Sequence, residues 1–284
     1  MSVSLWQGVA MNWCGYDVSA NLSLLFTERP YLERFGAAAA AGFDTVESWW
    51  PFAEPDPTDR EVDDLLRAID TAGVRLTGMN VFAGDMAAGE RGIACLPERA
   101  DELDKSLSAL LRIAEATGCR AFNLLYGHLG DESAQGAQEQ HAVSSYRLAA
   151  EAVSPIGGAI LVEPLARGLN GSYPLETAED ALALIDTVGR PELSLLLDTF
   201  HLGMNGEDIT SIAAAHTGRI GHVQIADSPG RGEPGSGDLD LAAIGTTLRT
   251  SGYRGTVAAE YKPTRETVLT LDWLKNGAET SRVS

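Results

Sequence analysis

Four oxygen-bearing side chains in the second half of the chain lie at or near the ends of short apolar segments. They are Glu163, Asp198, Gln224 and Glu260. A carboxylate that ends a buried apolar segment is costly unless it is paired or binds a metal ion. Three carboxylates and one amide at matching positions therefore indicate one shared cation, and their hard oxygen atoms favour Mg or Mn.

Each of these residues also has a simpler interpretation when it is taken singly. An Asp or Glu at the end of a strand can cap the following helix or pair with a Lys or Arg side chain. The spacing between the four residues is irregular, so no local motif separates the two interpretations. The metal-site hypothesis therefore depends on all four side chains reaching the same place.

The elements that must bring these side chains together are short apolar segments that alternate with amphipathic ones. The strand pattern falls on residues 19–25, 44–47, 74–80, 121–125, 159–163, 193–198, 220–225 and 255–260. The helical pattern falls on residues 28–41, 58–72, 98–117, 137–153, 177–188, 209–216, 241–250 and 266–275. Such alternation predicts an α/β fold, a single-domain (β/α)8 TIM barrel, in which the carboxyl ends of the strands share one active-site face.

The whole chain, residues 1–284, is assigned to this one domain, with an N-terminal extension at 1–15 and a C-terminal tail at 276–284. An open doubly wound sheet is the alternative arrangement. No GxGxxG follows an early strand, which disfavours a dinucleotide-binding domain. The connection at 81–97 is long for a strand-to-helix link, which favours a functional loop over a simple turn.

The composition limits the kinds of molecule that the protein is expected to bind. A formal net charge of −19 argues against nucleic acid and anionic membranes, because both are bound by clusters of Lys and Arg. Three widely spaced cysteines suit a reducing cytosol better than a disulfide framework or a zinc ribbon. Neither a signal peptide nor an apolar run of membrane length is visible. We therefore expect a cytoplasmic enzyme with no nucleic-acid or membrane partner.

Several stretches resemble the hydroxypyruvate isomerase family, one of the xylose isomerase-like barrels of sugar isomerases and epimerases. The most specific are HVQIADSPGRGEPGSG at 222–237 and EYKP at 260–263. Further matches are ANLSLLFTE at 20–28, AGFD at 41–44 with Glu47, AGDMAAGE at 83–90, LP at 96–97, VEPL at 162–165 and LDTFH at 197–201. The resemblance covers nearly the whole chain from about residue 20 onward.

The resemblance implies an isomerisation between hydroxypyruvate and 2-hydroxy-3-oxopropanoate (tartronate semialdehyde), or of a closely related small 2-oxo acid, through an enediolate. It also implies one divalent metal ion, Mg or Mn, held by the matching residues Glu163, Asp198, Gln224 and Glu260. Related ketose 3-epimerases carry His where this chain has Gln224, so Gln224 favours the hydroxypyruvate branch. A homo-oligomer, a dimer or a tetramer, is implied as well.

The implied reaction suits these residue types. Moving a carbonyl by one carbon requires removal of an α-proton, and a chelated cation stabilises the enediolate that results. We expect Glu163 and Glu260 to share the proton transfer as an acid/base pair. His201 would donate a hydrogen bond to a substrate oxygen, unless it is an ordinary histidine at a strand–loop junction.

A small carboxylate substrate also requires a cationic or N–H-rich surface in the pocket. The candidates are Arg231, which follows the strand of Gln224, and Lys262, which follows Glu260. The backbone N–H groups of residues 235–237 are a third candidate, because a helix N-terminus near this point of a barrel often binds anions. An ordinary turn is an equally good interpretation of residues 235–237.

Two loops depart from the family pattern, at residues 124–130 and 166–173. Both would lie over the pocket, so a longer 2-oxo acid such as 2-oxo-tetronate, or a free ketose, stays open as the substrate. A ketose 3-epimerase or sugar isomerase and a metal-dependent dehydratase of the same superfamily are the alternative enzymes. A DNA-repair endonuclease of this superfamily would need a His-rich multi-zinc site and a basic surface, which five histidines and a charge of −19 disfavour.

Overall fold

A computed structural model describes residues 11–276, and these residues form a closed parallel barrel surrounded by helices. The strands are β1 (Asn12–Trp13), β2 (Tyr16–Asn21), β3 (Thr45–Ser48), β4 (Arg75–Asn80), β5 (Ala121–Asn123), β6 (Ala159–Val162), β7 (Leu193–Asp198), β8 (Ile220–Ile225) and β9 (Thr256–Ala259). Strands β2 to β9 pair in parallel in chain order, and β9 pairs with β2 to close the barrel. The predicted TIM barrel is therefore confirmed.

The helices follow the strands in the expected alternation. They are α1 (Arg34–Ala41), α2 (Asp59–Ala72), α3 (Ala100–Thr117), α4 (Glu132–Val153), α5 (Ala178–Val188), α6 (Thr199–Met204), α7 (Ile209–His216), α8 (Leu241–Thr250) and α9 (Trp273–Asn276). Local sequence sets their ends: Thr58 and Glu61 form a capping box at the start of α2, and Gly73 ends that helix with φ of 68°. Between residues 11 and 276, no helix is long and apolar enough to span a membrane.

Strands β7 and β8 and helices α7 and α8 have the predicted bounds, but the start and the end of the chain differ. The first barrel strand is β2, at Tyr16–Asn21, and not residues 19–25. Leu22 and Leu25 are buried in the turns that follow it, so their apolar character reflects the packing of a turn. The helix predicted from residue 28 begins only at Arg34, after a 3-10 turn at Tyr31–Glu33.

Both chain ends carry further corrections. Within the predicted N-terminal extension, Asn12–Trp13 pairs antiparallel with the start of β2 and forms a hairpin. The last predicted helix, 266–275, is divided into a 3-10 turn at Thr267–Thr270 and the short helix α9. The rest of the predicted extension and tail, residues 1–10 and 277–284, lies outside the described residues.

Helix α6 was not predicted, and it determines where two of the predicted site residues, Asp198 and His201, lie. Asp198 ends β7 and caps α6, because its Oδ1 atom accepts hydrogen bonds from the backbone N–H groups of Phe200 (2.7 Å) and His201 (3.1 Å). The cap uses Oδ1, and Oδ2 accepts a hydrogen bond from Arg231 (3.2 Å). His201 therefore lies on the first turn of a helix directly above the end of β7, not in a loop.

The interior of the barrel contains polar layers between its apolar walls. Near the amino ends of the strands, the Ser19 hydroxyl donates to Thr45 (2.8 Å) and contacts the Thr77 hydroxyl (2.9 Å). Further along the axis, buried Glu47 and His222 are joined by a hydrogen bond of 2.6 Å. The carboxyl ends of the strands carry a third layer, which is the candidate site.

Candidate active site

A cavity of about 320 Å³ opens at the carboxyl ends of the strands. Five of the seven predicted site residues line it: Glu163, His201, Arg231, Glu260 and Lys262. Asp198 is fully buried and lies at the base, within 3.9 Å of the imidazole of His201. The other residue, Gln224, lines a small interior space beneath the cavity together with Asn123 and Glu47. The structure thus gathers the predicted residues at one end of the barrel.

Arg231 lies between two of the predicted metal ligands. Its Nη2 atom is 2.7 Å from Oε2 of Glu260 and 3.2 Å from Oδ2 of Asp198. Glu163 belongs to the same buried group, since Glu163, Asp198 and His201 each place one ligand atom within 4.8 Å of the others. Three carboxyl groups therefore surround one guanidinium, and in their ionised forms they would carry two negative charges more than it balances, the charge of one divalent cation.

The pKa values reflect this excess of negative charge. Burial, and then the charge of Asp198, raise the pKa of Glu163 to about 8. Burial raises the pKa of Glu260 well above its usual value, and although Arg231 opposes the rise, the charges of Asp198 and Glu163 add to it. A site that resists holding its carboxylates ionised is one in which a bound cation would be strongly favoured.

His201 is a hydrogen-bond donor toward this group and not a ligand. Its Nδ1 atom accepts a hydrogen bond from the backbone N–H of Ala166 (3.0 Å), so the ring proton of the neutral imidazole is on Nε2. Burial lowers the pKa of His201 to about 3, so the ring is neutral at ordinary pH. The Nε2 atom then carries a proton toward Glu163 and Asp198, at 3.8 and 3.9 Å, and has no lone pair for a metal. This agrees with the predicted role of His201 as a donor to substrate.

Gln224 is oriented by a residue below it. Its Nε2 atom donates to Oε1 of Glu47 (2.8 Å), which leaves Oε1 of Gln224 buried without a hydrogen-bond partner among the described residues. Asn123 is held in the same manner, because its Nδ2 atom donates to Glu163 (2.6 Å) and its Oδ1 atom has no hydrogen-bond partner in the part of the chain that the structure describes. Free amide oxygens beside buried carboxylates form an all-oxygen donor set, which fits a hard divalent cation such as Mg or Mn.

The residues that support this site were not predicted. Glu47 accepts hydrogen bonds from Asn21, Gln224 and His222. Burial acts to raise its pKa, but these partners, with His222 foremost, together outweigh burial and lower it. Above it, Glu260 accepts hydrogen bonds from Asn21 (3.0 Å) and from the indole N–H of Trp49 (2.5 Å). A signal was available for His222: it lies two residues before Gln224 on one strand, so both side chains point to the same face.

Two of the three candidates for binding a carboxylate are placed differently from Arg231. Lys262 is an exposed residue at the rim of the cavity. The backbone N–H groups of residues 235 and 236 are used within their own loop, by the carboxylate of Asp227 (2.8 Å) and the carbonyl of Glu233 (3.0 Å). The loop at 81–97, predicted to be functional, does reach the cavity and contributes Arg91 to its wall.

Comparison with known proteins gives a family match over most of the chain. The description of that family is xylose isomerase-like TIM barrel, and its model matches residues 35–277. A Streptomyces coelicolor protein named "Putative hydroxypyruvate isomerase" is 40% identical over 96% of this chain and 100% of its own. The hydroxypyruvate isomerase of Escherichia coli K12 is 35% identical over 90% of this chain and 97% of its own. The 2-oxo-tetronate isomerase of Pectobacterium atrosepticum is 32% identical over 90% of this chain and 95% of its own.

A solved structure has the same architecture along nearly its whole length. It is described as AP endonuclease, family 2, from Brucella melitensis, and it is 34% identical with a TM-score of 0.83, covering 91% of this chain and 98% of that one. The described residues of the present chain contain one group of three potential metal-binding His, Cys, Asp or Glu residues, and it includes a single histidine. That group differs from the His-rich multi-zinc site expected of a DNA-repair endonuclease.

Proposed function

Because the chain belongs to the xylose isomerase-like TIM barrel family, we propose that it is a metal-dependent isomerase of small 2-oxo acids. The reaction is the interconversion of hydroxypyruvate and 2-hydroxy-3-oxopropanoate, with 2-oxo-tetronate as the second candidate substrate. The names of the relatives agree with the aldose–ketose type of isomerase, so the predicted enzyme class is confirmed. The substrate, the metal and the mechanism are the proposal.

One observation carries this proposal: three buried carboxylates face a single guanidinium at the base of a cavity. Two of the carboxylates, Glu163 and Glu260, also line the cavity and can reach a substrate. Glu163, Asp198, Gln224 and Glu260 would hold the ion. When bound, a divalent ion of this kind polarises a carbonyl and an adjacent hydroxyl, which makes the intervening C–H group more acidic.

The residues of the chain supply the proton transfer. One carboxylate removes a proton from C3 of hydroxypyruvate, and the electron pair moves to the C2 oxygen to give an enediolate. A proton is then delivered to C2, and the proton of the C3 hydroxyl passes to the C2 oxygen, which leaves an aldehyde at C3 and a hydroxyl at C2. Glu163 suits the exchange of protons, because no residue from 11 to 276 donates a hydrogen bond to its Oε1 atom and burial raises its pKa to about 8.

Glu260 is held more firmly and completes the pair from the other side of the barrel mouth. Asn21 and Trp49 donate to Oε1, and Arg231 donates to Oε2. His201 presents its Nε2 proton between Glu163 and Asp198, where it would donate to a substrate oxygen that gains charge in the enediolate.

We further propose a cellular location, an oligomeric state and a class of partner for the enzyme. Three cysteines without a disulfide agree with a cytoplasmic location. We also propose that the enzyme is a homo-oligomer, a dimer or a tetramer. It acts on a small molecule and has no nucleic-acid or membrane partner. A ketose 3-epimerase is a weaker candidate, because Gln224 stands where those enzymes carry His.

The test is proton NMR of chelator-treated protein in D2O, with hydroxypyruvate and separately with 2-oxo-tetronate, before and after addition of Mg²⁺ or Mn²⁺. We expect metal-dependent deuterium incorporation and appearance of the aldehyde or its hydrate. Loss of water from the substrate instead would identify a dehydratase. Absence of exchange with both acids would reject the proposal.

A further inference from the structure

Arg91 is a second guanidinium in the wall of the active-site cavity, and unlike Arg231 it has no carboxylate partner. Among the described residues, Arg231 is paired with Asp198 and Glu260, whereas no Asp or Glu oxygen lies within ion-pair distance of Arg91. Arg91 is half-buried. A partly buried cation without a counter-charge is unfavourable unless an anion completes it.

The protein fixes most of the Arg91 guanidinium but leaves one end open. Its Nε atom donates to Oδ1 of Asn170 (2.9 Å), and its Nη1 atom donates to the backbone carbonyls of Met86 (3.1 Å) and Glu90 (2.7 Å). Asn170 in turn donates to the carbonyl of Ala166 (3.0 Å), which determines which end of its amide faces Arg91. No acceptor among the described residues lies within hydrogen-bond distance of Nη2.

The backbone around Arg91 is anchored just as firmly. The carbonyl of Arg91 accepts a hydrogen bond from the N–H of Gly127 (3.0 Å), and Gly92 bridges to Tyr126. Gly92 has φ of 103°, and a Cβ atom there would lie 2.2 Å from the carbonyl oxygen of Leu125. Only glycine permits this close approach, so the position of Arg91 is preset and requires no ligand to establish it.

The electrostatic surroundings favour an anion at the open end. Arg91 and Arg231 line the same cavity, and burial, and then the charge of Arg231, lower the pKa of Arg91. An anionic group placed beside Arg91 would relieve this effect.

We infer that Arg91 binds the carboxylate of the substrate through its open Nη2 end and thereby selects 2-oxo acids over uncharged ketoses. This assignment rests on the proposed function and replaces Arg231 as the main carboxylate-binding residue, because Arg231 is already engaged by two carboxylates. Arg91 joins the loops at 124–130 and 166–173 to the loop at 81–97. The two loops that depart from the family pattern therefore both contact Arg91, the residue that binds the substrate carboxylate.

The test compares hydroxypyruvate with dihydroxyacetone, which carries CH2OH in place of the carboxylate and can undergo the same proton transfer. In Arg91→Gln, we expect kcat/KM for hydroxypyruvate to fall about 10- to 100-fold, the range of a charge-assisted hydrogen bond. The rate of dihydroxyacetone exchange should change little. Arg91→Lys keeps the charge but not the fork of N–H groups, so an intermediate loss is expected.

A binding measurement supplies a readout that does not require turnover. Titration of Mg²⁺-loaded protein with glycerate, an unreactive carboxylate, should show saturable binding that weakens in Arg91→Gln. Arg75→Gln, which removes one cation at the opposite end of the barrel, is the matched control and should bind glycerate as the wild type does.

The inference and the proposed function can fail separately. Equal losses on hydroxypyruvate and dihydroxyacetone, or undiminished glycerate binding in Arg91→Gln, would overturn the role of Arg91. Absence of saturable glycerate binding to the wild type would overturn it as well. Wild-type protein that exchanges neither 2-oxo acid would reject the isomerase, and the glycerate titration would still decide the role of Arg91.

Discussion

The two ends of the barrel interior each enclose a cavity, and they differ in volume and in charge. The cavity at the amino ends of the strands is about 530 Å³, larger than the 320 Å³ at the carboxyl ends. Its floor is formed by the hydroxyls of Ser19, Thr45, Thr77 and Thr256. Those hydroxyls bond mainly to one another and to His222, whereas the smaller cavity has three buried carboxyl groups, Glu163, Asp198 and Glu260, around Arg231.

The same strands build both ends, which makes the contrast instructive. Strand β3 contributes Thr45 to the amino end and Glu47 further in, and β9 begins at Thr256 while Glu260 follows its other end. Neutral hydroxyls that satisfy each other give a stable layer with no demand for a ligand. The arginines at the amino end, Arg75, Arg249 and Arg254, are exposed to solvent, whereas the carboxyl groups at the other end are buried. Buried charge rather than volume therefore distinguishes the candidate site.

Removal of the metal should have the largest effect on activity and stability, and that effect should arise at the carboxyl end of the barrel. Chelator-treated protein should lose turnover completely and recover it with Mg²⁺ or Mn²⁺. At an ion concentration of 100 times Kd, binding should add about 2.7 kcal/mol to the free energy of unfolding. Calorimetry with and without Mn²⁺ measures this gain. An unfolding temperature that does not change when Mn²⁺ is added would contradict a metal site at the carboxyl end.

Glu163→Gln should separate activity from stability. We expect kcat to fall about 10²- to 10⁴-fold, the usual contribution of a general acid or base. The unfolding temperature of the metal-free variant should be unchanged or higher, because the raised pKa of Glu163, about 8, means that the native carboxyl is mostly neutral at pH 7. Steady-state kinetics and thermal unfolding decide the matter; retained turnover would exclude Glu163 from the proton transfer.

Glu47→Leu should weaken the metal site from a distance. The substitution removes the acceptor that turns Oε1 of Gln224 away from Glu47, so the affinity for Mn²⁺ should fall about 10- to 100-fold. Thr256→Val is the matched control, because it removes the hydrogen-bond partner of the other ring nitrogen of His222 and leaves Gln224 untouched. Titration of Mn²⁺ into folded protein measures both; equal affinities in Glu47→Leu and wild type would show that Gln224 needs no such support.

Thr77→Val should have the smallest effect and should be confined to stability. Its hydroxyl donates to the carbonyl of Val46 (3.1 Å) and contacts Ser19 (2.9 Å), so its loss should cost about 1 kcal/mol of unfolding free energy. We expect kcat to be unchanged. A large loss of kcat in this variant, seen in the same assays, would erase the distinction between the two ends.

The parts of the molecule that the sequence predicts well are those set by local pattern. Strands β7 and β8 are apolar runs that end in Asp198 and contain Gln224, and their bounds and their place at the site follow from that pattern alone. The predicted strand at 19–25 failed because Leu22 and Leu25 are buried in turns. An apolar run of that length does not distinguish a buried turn from a strand.

The supporting residues escape prediction because their roles arise from distant contacts. Glu47 meets His222 across 175 positions of sequence, and Arg91 meets Asn170 across 79. Nothing in the residues next to Glu47 distinguishes it from a carboxylate at a solvent-exposed strand end. Arg91 becomes notable only when its place in the cavity wall and the pairing of Arg231 are known.

The closure between β2 and β9 sets the order in which the enzyme can become active during its synthesis. Asn21 emerges early, and the Glu260 carboxylate to which it donates follows 239 positions later. Until β9 has been made, β2 and β8 each present an unpaired edge, which is a surface prone to aggregation. The nascent chain can form most of its βα units, but the proposed proton-transfer pair, Glu163 and Glu260, is completed only when β9 inserts between β2 and β8.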